Sequence, residues 1–184
     1  LIVRYASIIF SAVGMEFYPR MSANSHSNYR TSIFVSHEIG LLLKIFTPMI
    51  IVFIIARSLI VEILYTSDFL IILPFITIAA GAIILRTISS CMAFTIIARG
   101  DGKTFLLTES IDAAIGVFLN IILFRHMGFA GLGLAQVLWY AVYTLMIGIV
   151  YFGIYRLKLS GKATRGIVIS SIICATVITI YTFL

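Results

Sequence analysis

Residues 69–97 read FLIILPFITIAAGAIILRTISSCMAFTII, with Arg86 as the one charged side chain in the run. A helix needs about 20 mostly apolar residues to cross a hydrocarbon core of about 30 Å. The run exceeds that length, and its apolar residues are continuous, not alternating with period two as in a barrel strand. It therefore predicts a transmembrane helix. Working outward, five more apolar runs appear at 1–18, 41–64, 104–124, 129–155 and 166–184. The expected fold class is all-α, a polytopic transmembrane bundle of about six helices.

The composition agrees. Of the 184 residues, 61% are hydrophobic and 11% charged, against roughly half apolar and about a quarter charged in soluble domains. Mean hydropathy is +1.15. A water-soluble enzyme, a disordered chain and a nucleic-acid reader are all excluded as expectations. The net charge of +6 does not point to nucleic acid, because the basic residues fall in short gaps between apolar runs, where membrane topology is written. Cys91 and Cys174 lie inside apolar runs and read as small buried residues with free thiols. The chain begins Leu-Ile-Val-Arg, without a basic leader or cleavage site, so it is expected to be a piece of a longer polytopic protein.

Lys and Arg set the orientation. The stretches 19–40, 98–103 and 156–165 hold Arg20, Arg30, Arg99, Lys103, Arg156, Lys158, Lys162 and Arg165, while the intervening connections hold only Arg125. Eight against one puts those three loops in the cytoplasm by the positive-inside rule. The longest, 19–40, reads as a polar loop feeding an amphipathic lead-in to the second run.

Motifs for soluble chemistry are absent from the reading. His26, His37 and His126 lack metal-ligand spacing, so no metal site and no cofactor is expected. Gly128-Phe-Ala-Gly131-Leu-Gly133 has no preceding strand, so close packing of helices through small residues explains it better than a dinucleotide loop. Arg99-Gly100-Asp101 reads as a cytoplasmic turn. Pro48 and Pro74 are expected inside helices, freeing the carbonyls of Lys44 and Leu70. Each is either a packing kink or a hinge in a moving helix.

The informative residues are ionisable groups at membrane depth, where a charge costs about 2.5–3.5 kcal/mol on insertion scales. Arg86 stands about 16 Å from the cytoplasmic end of its run, and Arg57 about 10 Å from the outer end of its own. Glu109, Asp112, Gly116 and Asn120 fall within an arc of about 80° on one helix. That polar stripe is expected to face the bundle interior. Glu109 and Asp112 lie about 9 and 13 Å inward from Lys103, which brings Asp112 to the depth of Arg86. Arg86 is expected either in a static ion pair or facing a cavity.

Four stretches in order resemble the C-terminal half of the polysaccharide or O-antigen flippases of the multidrug/oligosaccharidyl-lipid/polysaccharide exporter superfamily. They are Glu16-Phe-Tyr-Pro-Arg-Met-Ser22, Ile63-Leu-Tyr-Thr-Ser-Asp-Phe69, Ala98-Arg-Gly-Asp-Gly-Lys-Thr-Phe-Leu-Leu-Thr-Glu109 and Gly128-Phe-Ala-Gly-Leu-Gly-Leu-Ala135. The resemblance implies two helical bundles around a central cavity, with residues 1–155 forming the second bundle; residues 156–184, a basic cytoplasmic loop and a further transmembrane helix, have their last run outside the matching region and its role open. It implies alternating-access translocation of undecaprenyl-diphosphate-linked oligosaccharide across a bacterial cytoplasmic membrane, with membrane lipids and an N-terminal half as partners, and no enzymatic step.

No binding residue is carried over from the family. The residues themselves nominate Arg86, Arg57 and Asn120 for substrate binding and Glu109 and Asp112 for coupling or gating, with Asp112 expected to pair with Arg86 when substrate is absent. Two other functions stay open. They are a cation-coupled small-molecule exporter of the same superfamily and a membrane-embedded glycan-assembly enzyme.

Overall fold

The computed structural model describes residues 16–64 and 67–183, and among them there is no strand. Residues 16–23 are helical; the rest of the first apolar run lies outside the described residues. After a turn at 24–27 come α1 (Asn28–Ile55), the short α2 (Arg57–Leu64) and a 3-10 turn (Ser67–Ile72). Then follow α3 (Leu73–Ala98), α4 (Gly102–Gly148), a π-helical turn (Ile149–Ile154) and α5 (Gly161–Phe183).

The helix ends have chemical causes. Ser27 caps α1, its hydroxyl accepting from the Arg30 amide at 3.4 Å. Asp101 caps α4 by accepting from the Thr104 amide at 3.1 Å. Such side-chain oxygens satisfy amides that have no partner within the first helical turn. α3 ends at Gly100, whose φ of 69° lies in the left-handed region. There the Gly100 and Asp101 amides turn back onto the carbonyls of Ile97 and Ile96 at 3.0 and 3.1 Å. That reciprocal pattern closes a helix only where the residue tolerates positive φ.

The continuous helical span Gly102–Ile154 is 53 residues long, about 80 Å at 1.5 Å per residue. One crossing cannot use that length. The chain folds back at Gly128 (φ 59°, ψ −136°), so α4 is a hairpin of two antiparallel arms, before and after that residue. The fourth and fifth expected helices are these arms. Four apolar helical spans, one of them doubled, give five segments long and apolar enough to cross a membrane among the described residues.

α3 is the central helix, packing on α1, α4 and α5. Gly133 lets the second α4 arm close on it, since a Cβ there would stand 3.0 Å from the Phe75 carbonyl oxygen. The small-residue reading of 128–133 therefore fits the packing. The core joins Val35, Ile39, Leu42, Phe46, Ile50 and Ile54 of α1 to Ile84, Ile88 and Ile96 of α3. Cys91 and Cys174 are buried free thiols. In lipid such packing acts through van der Waals fit, because the surrounding tails are as apolar as the core.

Several boundaries differ from expectation. The polar loop 19–40 shrinks to 24–27, since the α1 start is stabilised by polar side chains that reach across the fold. Ser36 Oγ accepts from the Ser160 amide at 2.9 Å, and Ser32 Oγ from the Lys158 amide at 3.1 Å. Lys162 and Arg165 belong to α5, not to a loop. Pro74 sits in the first turn of α3, where a missing N–H has no helical partner to lose. It does not lie in the helix interior, where it was expected as either a kink or a hinge. Pro48 does lie inside α1.

Candidate functional site

The polar stripe faces the other arm of its own hairpin. Glu109 Oε1 accepts from the Tyr143 hydroxyl at 2.6 Å, and Asp112 Oδ1 from the Trp139 indole Nε1 at 2.6 Å. Gly116 lies against the Trp139 ring, and Asn120 Nδ2 donates to the Gly116 carbonyl at 2.7 Å. The pairs run in antiparallel register, 109 with 143 and 112 with 139, as the Gly128 turn dictates. Each carboxylate, half-buried at membrane depth, meets an aromatic donor whose apolar body suits lipid while its N–H or O–H satisfies the acid.

Arg86 completes the cluster from α3. Its guanidinium carbon stands 5.7 Å from the centroid of the Tyr140 ring, and Tyr140 stacks on Trp139 with centroids 5.4 Å apart at 17°. The expected Arg86–Asp112 ion pair is not formed; among the described residues the one pair within 4.0 Å is Arg20–Glu16. Asp112 is turned toward Trp139 across the hairpin, and the aromatic pair stands on the Arg86 side. Trp139, Tyr140 and Tyr143 are the residues that sequence reasoning missed. Their signal was donors at 139 and 143 spaced one turn apart, matching acids at 109 and 112.

Arg57 lies elsewhere. Because α1 stops at Ile55 and a new helix starts at Arg57, this residue stands at a break between two helices instead of inside one. Its Nη1 donates to Thr77 Oγ1 of α3, and its guanidinium carbon lies 5.3 Å from the Tyr181 ring centroid of α5. Arg57 and Arg86 are thus not brought together.

The three basic loops converge at one end of the bundle. Arg99 Nη2 donates to Asn28 Oδ1 at 2.6 Å and covers the Tyr155 ring at 4.6 Å. The Tyr155 hydroxyl donates to Asp101 Oδ2 at 2.8 Å. Hydrogen bonds from the Thr104 hydroxyl, the Tyr155 hydroxyl and the Thr104 amide hold the Asp101 carboxyl below the usual carboxylate range. Burial, and then the bond to Asp101, push Tyr155 up to about 12.

An apolar cavity of about 340 Å³ lies between α3, the second α4 arm and α5. Leu85 lines it; Arg86 does not. The chain matches no family model, no curated protein and no solved structure.

Proposed function

We propose that the chain is the transmembrane bundle of a transporter that moves lipid-linked oligosaccharide across a bacterial cytoplasmic membrane, with the basic loops in the cytoplasm. The observation that supports it most is the gathering of Arg86, Glu109 and Asp112 around Tyr140, Trp139 and Tyr143 at membrane depth. Ionisable residues at that depth mark substrate or ion paths more often than scaffolding. The ordered likeness to polysaccharide flippases supplies the substrate class. In this reading Arg86 meets the diphosphate, whose oxygens suit a planar guanidinium. No bond is made or broken; the substrate changes sides.

The two carboxylates at depth, Glu109 and Asp112, favour a cation-coupled step, and so keep a small-molecule exporter as the second reading. Expression of the complete reading frame in a strain lacking its polysaccharide flippase separates the two. Restored surface polysaccharide, lost in Arg86→Ala at unchanged membrane abundance, supports the flippase. Failure of complementation together with efflux of a cationic dye moves the assignment to the exporter.

A further inference from the structure

The chain between α4 and α5 is wound differently from the helices it joins. Residues 149–154 form a π-helical turn, in which amides bond five residues back instead of four. The Tyr155 amide reaches the Val150 carbonyl at 2.9 Å, and the Leu157 amide reaches the Tyr151 carbonyl at 3.0 Å. Between them Arg156 has φ 52°, a left-handed conformation that costs any ordinary L residue and that glycine adopts freely. Such a conformation persists only where the surroundings over-determine it.

The surroundings here act from both sides of Arg156. Before it, the Tyr155 carbonyl accepts from Asn28 Nδ2 at 3.2 Å and its hydroxyl donates to Asp101 Oδ2 at 2.8 Å. After it, the Lys158 and Ser160 amides donate to Ser32 Oγ and Ser36 Oγ at 3.1 and 2.9 Å. Amides two residues apart thus meet hydroxyls one turn apart on α1. The arrangement has a second cost besides Arg156. Arg99 Nε is buried with no hydrogen-bond partner among the described residues, although the same guanidinium bonds Asn28 and covers Tyr155.

We infer that residues 149–160 are a two-state clasp on the basic end of the bundle, with the Tyr151 carbonyl as its switch point. In the closed state that carbonyl accepts from Leu157. In the open state the π-helical turn rewinds to α-helix, and the Tyr155 amide moves one residue along, from Val150 to Tyr151. Leu157 lets go, and Arg156 returns to negative φ. One residue of helical register turns Tyr155 by about 100°, away from Asp101 and Asn28, and the Lys158 and Ser160 amides leave α1. Elements with two discrete pairings of this kind convert small local changes into opening. This inference does not rest on the transport reading.

The test is hydrogen–deuterium exchange of the full chain in phospholipid nanodiscs, read at single amides by fragmentation, since exchange follows the opening of each cooperative unit. In the unaltered protein the Leu157, Lys158 and Ser160 amides should exchange alike. The Tyr155 amide, which only changes partner, should be at least about ten-fold slower, in keeping with its bond surviving in both states. Tyr155 exchanging as fast as the other three would mean simple fraying and overturns the clasp. That readout needs no variant. Arg156→Asn, at an exposed position, should slow Leu157, Lys158 and Ser160 together by roughly three-fold, in line with the several-fold preference of asparagine for left-handed backbone. Unchanged or faster exchange in Arg156→Asn overturns the inference. Ser36→Ala removes only the acceptor of Ser160, yet should speed Leu157 as well. Faster exchange of Ser160 alone would show independent bonds and overturn the two-state unit.

Discussion

Gly116 leaves the space that the Trp139 indole occupies: a Cβ built on Gly116 would lie 2.5 Å from both Cε2 and Cζ2 of that ring. The contact sets the spacing of the two α4 arms and brings the indole N–H onto Asp112. Gly116→Ala should force the arms apart or tilt the indole, at about 1–3 kcal/mol for an overpacked site. Trp139 is the single tryptophan of the chain, so its fluorescence reports on this site alone. A lower thermal midpoint in detergent with a shifted emission maximum is expected. Unchanged values of both would show that the arms do not touch here.

Asp112 is held by Trp139, not by Arg86, and this changes what a charge swap should do. The double variant Arg86→Asp with Asp112→Arg should not recover stability, because the native contacts run from acid to indole and from guanidinium to Tyr140. A double-mutant cycle with Arg86→Met and Tyr140→Leu should instead give a coupling of about 0.5–2 kcal/mol, the range of cation–π contacts. Recovery by the swap, with no Arg86–Tyr140 coupling, would restore the ion-pair picture.

The fold was largely legible because lipid imposes few solutions: continuous apolar runs must be helices, and Gly128 and Gly100 mark where they turn. Side-chain partners were less legible. Periodicity placed Glu109 and Asp112 on one face but could not say which neighbour that face meets. Depth alone matched Asp112 with Arg86, while the tight Gly128 turn set a closer partner in the second arm. The helix break before Arg57 was missed for a related reason. Hydropathy continues unbroken through 41–64, although the 28 residues of α1, about 42 Å long, already exceed the hydrocarbon thickness. Pro74 likewise read as interior only because the apolar run begins before the helix does.

The lock at the basic end gives a pH dependence. The Asp101 carboxyl is held down chiefly by the Thr104 hydroxyl, then by Tyr155 and the Thr104 amide. Its folded pKa lies below the unfolded value of about 3.9. Its contribution to stability is therefore complete above that value and disappears as pH falls through the folded pKa. Asp101→Asn should flatten the acid side of the stability curve measured by thermal unfolding in detergent, and Thr104→Val should flatten it partly. Tyr155 acts on the alkaline side. Its folded pKa is raised to about 12, so its share is complete below about 10 and is lost as pH rises through the folded value. Tyr155→Phe should remove that alkaline step, and an unchanged step would assign it to another group.

Sidedness is tested by thiol labelling at positions the fold leaves open. Ser25 is only 8% exposed, so a cysteine there would report access more than side. Ser160 and Lys103 are exposed near the basic end, and Met127, 52% exposed, lies at the hairpin turn. Hydrogen bonds tie Ser160 to Ser36 and Asn28 to Arg99, so the basic loops must share one side whichever side that is. Single cysteines at 103, 127 and 160 would be placed in a background lacking Cys91 and Cys174. The positive-inside bias then requires an impermeant reagent outside intact cells to label position 127, and to label 103 and 160 only after the cells are opened. Labelling of 160 and 103 from outside, with 127 protected, would invert the topology and leave the fold intact. Labelling of 160 but not 103 from outside would instead break the shared basic end, and with it the hydrogen-bonded arrangement of α1, α4 and α5.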